Sequence, residues 1–479
     1  MRSFWQGFEK QAKLKKDVEL RPHQDRALAR LEKKPGLLVY HGLGSGKTIT
    51  SIAATEDGDT DVILPASLRE NYKKEQKRFS TSKRNIMSFE KYVKDKPVAA
   101  KNLVIDEAHL VGRHEAKRST LLTKRAPDYE KRVLLTGTPV RNHPSELAPL
   151  LNIIRGDKEI PALKKEFSEK FINELTKKPG FFGRLLGRTP STTYQIKNPG
   201  KFQSLIQGYV DYHPSGDDKF PSVTEERIEV PLGPEQQKIY KYLVGKVPPG
   251  LRHKIKRGLP PSKQESKSLN AFMSGTRQVS NTARPFGGTE ESKIEHAVEE
   301  LVTRGEKDKN FKAVVYSNFL GAGIQPYAEK LKAKNIPHAV FDGSLSDKDR
   351  AKLVKDYNKN KIKALLLSGA GSQGLDLKGT KLVQLLEPHW NEARLEQAKG
   401  RAIRYKSHDH LPEKERHVHV QRYFSTLQPG LLGKLLGKRD FSSDEYLDML
   451  SKDKAKLNEA FLELIRKEGV TDVARPKAS

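Results

Sequence analysis

GLLVYHGLGSGKT, Gly36 to Thr48, joins a short apolar run to a glycine-rich loop ending in Lys-Thr. Gly36-Leu-Leu-Val-Tyr40 is a short apolar run, the pattern of a strand buried on both faces of a parallel sheet. It leads straight into His41-Gly-Leu-Gly-Ser-Gly-Lys-Thr48, and a helical run follows. Glycines at Gly42, Gly44 and Gly46 let the backbone curl with its N–H groups turned inward, a geometry that cradles phosphates; Ser45 lies among them. Lys47 can reach the β- and γ-phosphates of a nucleotide, and the Thr48 hydroxyl can ligate Mg²⁺. The strict pattern has Gly where His41 stands, so the match covers its second half. The plain alternative is a Gly-rich turn ahead of a helix.

A second run, Asn102-Leu-Val-Ile-Asp-Glu-Ala-His109, lies downstream. Leu103 to Ile105 reads as another buried strand, which delivers two carboxylates and a histidine to its C-terminal end. In a parallel sheet that end is where ligands bind. Four letters alone are open to chance. With the phosphate loop upstream, Asp106 is expected to ligate Mg²⁺ and Glu107 to orient or deprotonate the attacking water. His109 is expected to link the nucleotide to a later motif rather than to act as a catalyst.

The chain has 479 residues, a soft prior for two to four domains. Its 89 Lys+Arg against 60 Asp+Glu give a formal charge of +29 and a pI near 9.8. Such an excess argues for a polyanion partner, most plainly nucleic acid; host composition is the bland alternative. With no cysteine, disulfides, thiolate zinc sites and cysteine nucleophiles are excluded. No apolar run approaches the ~18 residues of a membrane helix, so no membrane partner is expected. The opening MRSFWQGFEKQAKLKK lacks the continuous apolar core of a secretory signal. Phe4, Trp5 and Phe8 instead fit one face of a short amphipathic segment over 1–19.

Strand candidates at Leu37–Tyr40, Asp61–Leu64, Leu103–Ile105 and Val133–Leu135, with helical runs between them, predict a parallel α/β domain over 20–155. From 156 to 290 the rhythm breaks into Lys-, Pro- and Gly-rich stretches such as FFGRLLGRTP and LRHKIKRGLPPSK. Helical runs at Ala162–Lys177 and Glu235–Val244 suggest a mostly helical basic insertion. Alternation returns over 291–428, with strands expected at Ala313–Tyr316, His338–Phe341, Ala364–Leu367, Leu382–Leu385 and His417–Tyr423. The tail, 429–479, is expected to be helical. Near the end of the second block stands EQAKGRAIR, Glu396 to Arg404. On a helix Gln397, Arg401 and Arg404 would share a face, able to bring positive charge to a transferring γ-phosphate. A solvated basic face is the plain alternative. SGAGSQGLDLKG, Ser368 to Gly379, offers small residues for close approach of a phosphate backbone or a ribose, and Asp376 could accept from a hydroxyl or an arginine.

In their order along the chain, these runs resemble the motifs of superfamily 2 helicase-type ATPases, within them the Swi/Snf-like branch. LRPHQ, Leu20 to Gln24, looks like the motif whose glutamine, here Gln24, reads the adenine edge. HGLGSGKT and DEAH look like motifs I and II. DVILPASLRENY, from Asp61, resembles motif Ia, a DNA-backbone contact. LTGTP, Leu135 to Pro139, continued as VRNHPSELAPLLNII, is similar to motif III, thought to couple nucleotide to DNA through Thr136 and Thr138. VVYSNF, SGAGSQGLDL and QAKGRAIR resemble motifs IV, V and VI, which makes Arg401 and Arg404 the arginine fingers. Cellular chromatin remodellers carry Arg-Ile-Gly-Gln after the fingers. The passage here, with EPHWNEARLEQ before it, is closer to motors of large DNA viruses, such as poxvirus-type early transcription factors and nucleoside triphosphatases, or of phages.

The resemblance implies an α/β fold of two RecA-like parallel-sheet domains with a mostly helical insertion and a helical C-terminal tail. It implies an ATP- and Mg²⁺-dependent DNA translocase or helicase, with ATP bound between the two domains. Basic residues Arg252, Lys254, Lys256 and Arg257 are expected to hold the track. Two other readings stand beside it: a DEAH-type RNA helicase, and a viral transcription or packaging factor using ATP as a conformational switch. A viral origin would make RNA polymerase or other transcription proteins partners. It would place the chain inside cells, in the virion or the infected-cell cytoplasm.

Overall fold

The computed structural model describes residues 19–42, 44–177, 191–214, 220–259, 261, 265–369, 375–390, 392–404, 406–429 and 440–470. The chain divides into two compact units, one of 1–216 with 454–479 and one of 217–453. The amphipathic segment expected around Phe4, Trp5 and Phe8 lies outside the described residues.

In the first unit the strands are β1 (Gly36–His41), β2 (Thr60–Leu64), β3 (Arg84–Ser88), β4 (Asn102–Asp106), β5 (Lys131–Thr136), β6 (Ile172–Lys177), β7 (Ser191–Ile196) and β8 (Val210–His213). Six of them form one parallel sheet in the order β3-β2-β4-β5-β1-β8. Period-2 alternation sends side chains to two cores. Leu37, Val39, Val62, Val104, Val133 and Leu135 pack with Ala27, Ile52 and Tyr72. Those three belong to the helices Pro22–Lys33, Lys47–Ala54 and Arg69–Phe79. Leu38, Ile63, Leu103, Ile105 and Leu134 pack on the other face with Tyr92, Leu122, Leu150 and Leu151. Near-continuous apolar strands, helices on both faces and parallel pairing are one consistent solution. Central β1, β4 and β5 end beside one another, so the phosphate loop, DEAH and TGTP emerge at one edge of the sheet.

The second unit repeats the architecture. Its strands β9 (Ser222–Pro231), β10 (Ala313–Ser317), β11 (His338–Phe341), β12 (Ala364–Ser368), β13 (Leu382–Leu385) and β14 (His417–Thr426) form a parallel sheet in the order β11-β12-β10-β13-β14-β9. A helical cluster gathers Tyr240, Leu251, Phe272 and Met273 with Tyr446 and Leu447 from the start of helix Ser443–Val470. That start is pinned by a wholly buried ion pair, Lys293 Nζ to Asp444 Oδ2 at 2.7 Å. The same carboxylate oxygen accepts from Ser425 N at 2.9 Å. Removing either partner of such a pair leaves an uncompensated charge and costs about 3–5 kcal/mol.

The described residues of 156–290 hold more helix than strand, as expected of a mostly helical insertion, but they also carry strands that the sequence did not announce. The stretch supplies β8 to the first sheet and β9 to the second, and the antiparallel pair β6–β7 besides. The helical run expected over Ala162–Lys177 is a helix only for Lys164–Phe171; Ile172 to Lys177 is β6. The helix expected at Glu235–Val244 is present as Pro234–Gly245. β9 escapes an apolar pattern search because it is an edge strand, mostly exposed and studded with Glu225, Glu226, Arg227 and Glu229. Charge on an edge is how a sheet discourages further pairing. FFGRLLGRTP lies outside the described residues.

Candidate nucleotide site

β1 carries the chain into the loop. Gly46 has φ +81°, and a Cβ there would stand 2.5 Å from Gln24 Nε2. The left-handed backbone favours glycine, and a side chain there would also have to displace the Gln24 amide. Gln24 fills that space: its Nε2 donates to the carbonyls of Ser45 and Gly46, each at 3.3 Å, and its Oε1 accepts from Arg21 N at 2.8 Å. The amide expected to read an adenine edge thus also braces the loop from below. Ser45 Oγ donates to Gly42 O at 2.8 Å. Lys47 Nζ donates to the carbonyls of His41 and Gly42, both at 2.9 Å. Thr48 lies in the first turn of the helix Lys47–Ala54.

β4 ends at Asp106, whose Oδ1 accepts from Glu107 N at 2.8 Å. Burial, and then the Glu107 charge, push the Asp106 carboxyl above the usual carboxylate range; the Glu107 N–H and Lys47 pull the other way. Glu107 itself has φ +51° and ψ +46°, the left-handed region, and no glycine's freedom to relax there. That conformation costs about 1–2 kcal/mol for a residue with a Cβ.

His109 continues from this pair. Its Nδ1 lies 3.1 Å from Thr136 Oγ1 and 3.3 Å from Glu107 Oε2. Its Nε2 meets the Arg141 guanidinium. A guanidinium only donates, so Nε2 accepts and Nδ1 carries the ring proton. Burial, then the charges of Arg141, Lys47 and Arg118, hold His109 well below the ordinary imidazole range, so the ring is neutral. Thr136 Oγ1 also accepts from Thr138 N at 3.1 Å, while Glu146 Oε2 accepts from Arg141 N at 2.7 Å. Carboxylate, imidazole, hydroxyl and guanidinium therefore form one continuous path from DEAH into LTGTPVRN. Arg141 lies in the VRN continuation of LTGTP, but nothing in the sequence singled it out.

In the second unit, buried Glu387 follows β13 and accepts from Ser317 Oγ at 3.1 Å, Asn318 Nδ2 at 3.2 Å and Asn281 Nδ2 at 3.0 Å. This ties VVYSNF to EPHW. Arg401 lies, mostly buried, on helix Glu392–Ala402 together with Gln397. Arg404 does not share that helix, which stops at Ala402. Ser407 Oγ turns back onto the carbonyls of Ala402 at 3.3 Å and Arg404 at 2.8 Å, closing the end in place of another turn. Arg404 Nη1 donates to Leu375 O at 3.0 Å and lies 3.7 Å from Asp376 Oδ1. Ala370 to Gly374 of the SGAGSQG run fall outside the described residues.

The expected basic track is largely occupied by its own neighbours. Lys254 pairs with Glu265 at 2.6 Å and Lys256 with Asp440 at 2.9 Å. Arg252 donates to the carbonyls of Gly245 and Val247 at 3.3 and 3.2 Å. The Arg257 side chain lies outside the described residues.

Against this geometry the known families agree. Residues 60–284 match the SNF2-related domain, and residues 292–406 match the helicase conserved C-terminal domain. "Putative ATP-dependent RNA helicase L538" of Acanthamoeba polyphaga mimivirus is 30% identical over 453 residues, covering 92% of this chain and 95% of that protein. The chain belongs to the SNF2-related helicase family. It is accordingly an ATP-dependent helicase or translocase of SNF2 type, and an ATPase by class. "Termination factor NPH-I homolog" of African swine fever virus (isolate Pig/Kenya/KEN-50/1950) is 24% identical over 557 residues, 92% of this chain and 76% of that protein. Among SNF2 relatives, then, the leaning of EPHWNEARLEQ and its surroundings toward viral motors is matched. A Sulfolobus solfataricus SWI2/SNF2 ATPase core in complex with dsDNA covers 96% of this chain and 98% of that one, at 19% identity and a TM-score of 0.35. Among the described residues no helix is long and apolar enough to cross a membrane.

Proposed function

We propose that this SNF2-type chain translocates on duplex DNA, hydrolysing ATP at the loop of Lys47. The observation that supports it best is the strained Glu107, its carboxylate 3.3 Å from His109 Nδ1, which in turn bonds Thr136, next to the Asp106 carboxyl. The donors fit Mg²⁺·ATP. Asp106 and the Thr48 hydroxyl are hard oxygens, and Mg²⁺ commonly takes one or two protein oxygens with phosphate and water completing its shell. The crowding that raises the Asp106 carboxyl is what a divalent cation relieves. When bound, the ion neutralises charge on the β- and γ-phosphate oxygens.

The protein's own steps follow. Gly44, Ser45 and Gly46 turn backbone N–H groups to the phosphates, the Gly42 N–H being held by His213 O, and the Lys47 ammonium leaves the His41 and Gly42 carbonyls for phosphate oxygens. Glu107 orients water for in-line attack. Neutral His109 reports the position of Glu107 to Thr136 and, through Arg141, to the segment after LTGTP. Gln397, Arg401 and Arg404 are assigned to the second unit's share of the reaction, with Arg401 supplying charge to the transferring phosphoryl group.

Duplex DNA is favoured because the motifs read as Swi/Snf-like from about Leu20 to Arg404. RNA is the second reading, favoured by the name of the mimivirus relative. ATPase rates measured with duplex DNA, single-stranded DNA, RNA and no polymer decide between them. Stimulation should be strongest with duplex DNA and should fall steeply as salt rises. Strongest stimulation by RNA would overturn the substrate, and equal rates in all four would overturn the motor. Triplex displacement without strand separation is the expected signature of duplex translocation.

A further inference from the structure

The first unit holds a buried carboxylate that the chemistry above leaves unused. Asp211, on β8, is fully buried. It accepts from three side chains: His41 Nε2 at 2.7 Å, Arg26 at 2.7 Å (Nε) and 3.0 Å (Nη2), and Arg30 Nε at 3.1 Å. A carboxylate only accepts, so His41 bears its proton on Nε2. Burial tends to raise the Asp211 carboxyl, but the hydrogen bonds from His41 and Arg26 outweigh it and hold the group ionised. Burial keeps His41 below the ordinary imidazole range, with Asp211 pulling back only in part, so a neutral ring faces a carboxylate.

His41 is the residue that departs from the phosphate-loop pattern, and the structure gives it two attachments. Its ring is held by Asp211, while its backbone carbonyl takes the Lys47 ammonium at 2.9 Å. The next amide, Gly42 N, donates to His213 O at 2.9 Å, two residues along β8 from Asp211. His213 in turn stacks on His23 with ring centroids 3.8 Å apart, and His23 Nε2 lies 2.8 Å from Ser45 O. A strand 170 residues downstream of the loop thus grips its entry and, through a histidine pair, its middle.

We propose that Asp211 is a positioning residue for the nucleotide site: through the His41 imidazole it fixes the loop entry whose carbonyl seats Lys47. This rests on the Lys47 loop being that site. The test is binding of N-methylanthraniloyl-ADP to the full chain, with ATPase kinetics and a melting curve for each variant. Asp211→Asn should weaken ADP binding about tenfold and raise KM for ATP more than it lowers kcat. His41→Phe removes the same hydrogen bond while sparing the arginine contacts, and should reproduce the loss even if Asp211→Asn folds poorly. In a His41→Gly background, where the loop regains the strict pattern, Asp211→Asn should cost less than about twofold. Equal losses in both backgrounds, or a His41→Phe chain that binds like wild type, would overturn the proposal. Lys47→Ala separates the two readings: it should lose ADP binding, and if it binds normally the loop itself is misassigned.

Discussion

Glu107→Gln should bind nucleotide as the wild type does and hydrolyse it slower by a factor on the order of 10³ or more. The substitution is nearly isosteric, and the amide can still meet His109, 3.3 Å from the present carboxylate oxygen. What it removes is the negative charge proposed to orient a water and accept its proton. Because Gln at 107 is as strained as Glu, the fold should be unaffected, which a melting curve checks. Single-turnover hydrolysis with preloaded ATP isolates the chemical step from product release. A variant within about threefold of wild type in that assay would remove Glu107 from the catalytic role. Its duplex-stimulated and basal rates should fall by the same factor, since the carboxylate serves the chemistry in both.

The second large effect is expected at Arg401. Lysine keeps the charge but loses the planar fork that can address two phosphate oxygens at once. Arg401→Lys should lower kcat by about 10³, the low end of what an arginine finger contributes, and change nucleotide affinity far less. Arg401 is mostly buried, so a helix disturbed by the change would appear as a lowered melting temperature. An intact melting curve with unchanged kcat would return Arg401 to a structural role. Arg404, beyond the helix and bound to Leu375 O, should show the smaller loss of the two.

Much of the site was legible because its pieces are contiguous. The loop, DEAH and LTGTP are each one strand's exit, and a buried parallel strand announces itself as a short apolar run. All nine strands expected from apolar runs are present within a few residues. What stayed hidden is carried by tertiary pairing. β8 is only four residues long and β9 is exposed and charged, so neither shows the apolar signal of a central strand. Asp211 reads as an ordinary acid until β8 lies beside β1. The helical pattern running through Arg401 toward Arg404 ends early because Ser407 folds back on it, an event that spacing within EQAKGRAIR does not encode. The basic run near Arg252 looked like a track because its acidic partners lie outside the run, Glu265 eleven residues beyond Lys254 and Asp440 far along the chain.

If Glu107 serves as proposed, its left-handed backbone sets stability against catalysis at a single codon. Glycine would adopt φ +51° without the steric penalty, which offsets part of its greater loss of chain entropy on folding. A thermal screen of all substitutions at this position would therefore rank glycine favourably, although it carries no carboxylate. Heat-tolerance breeding of this chain, run without an activity gate, would drift toward losing the carboxylate proposed to orient the attacking water.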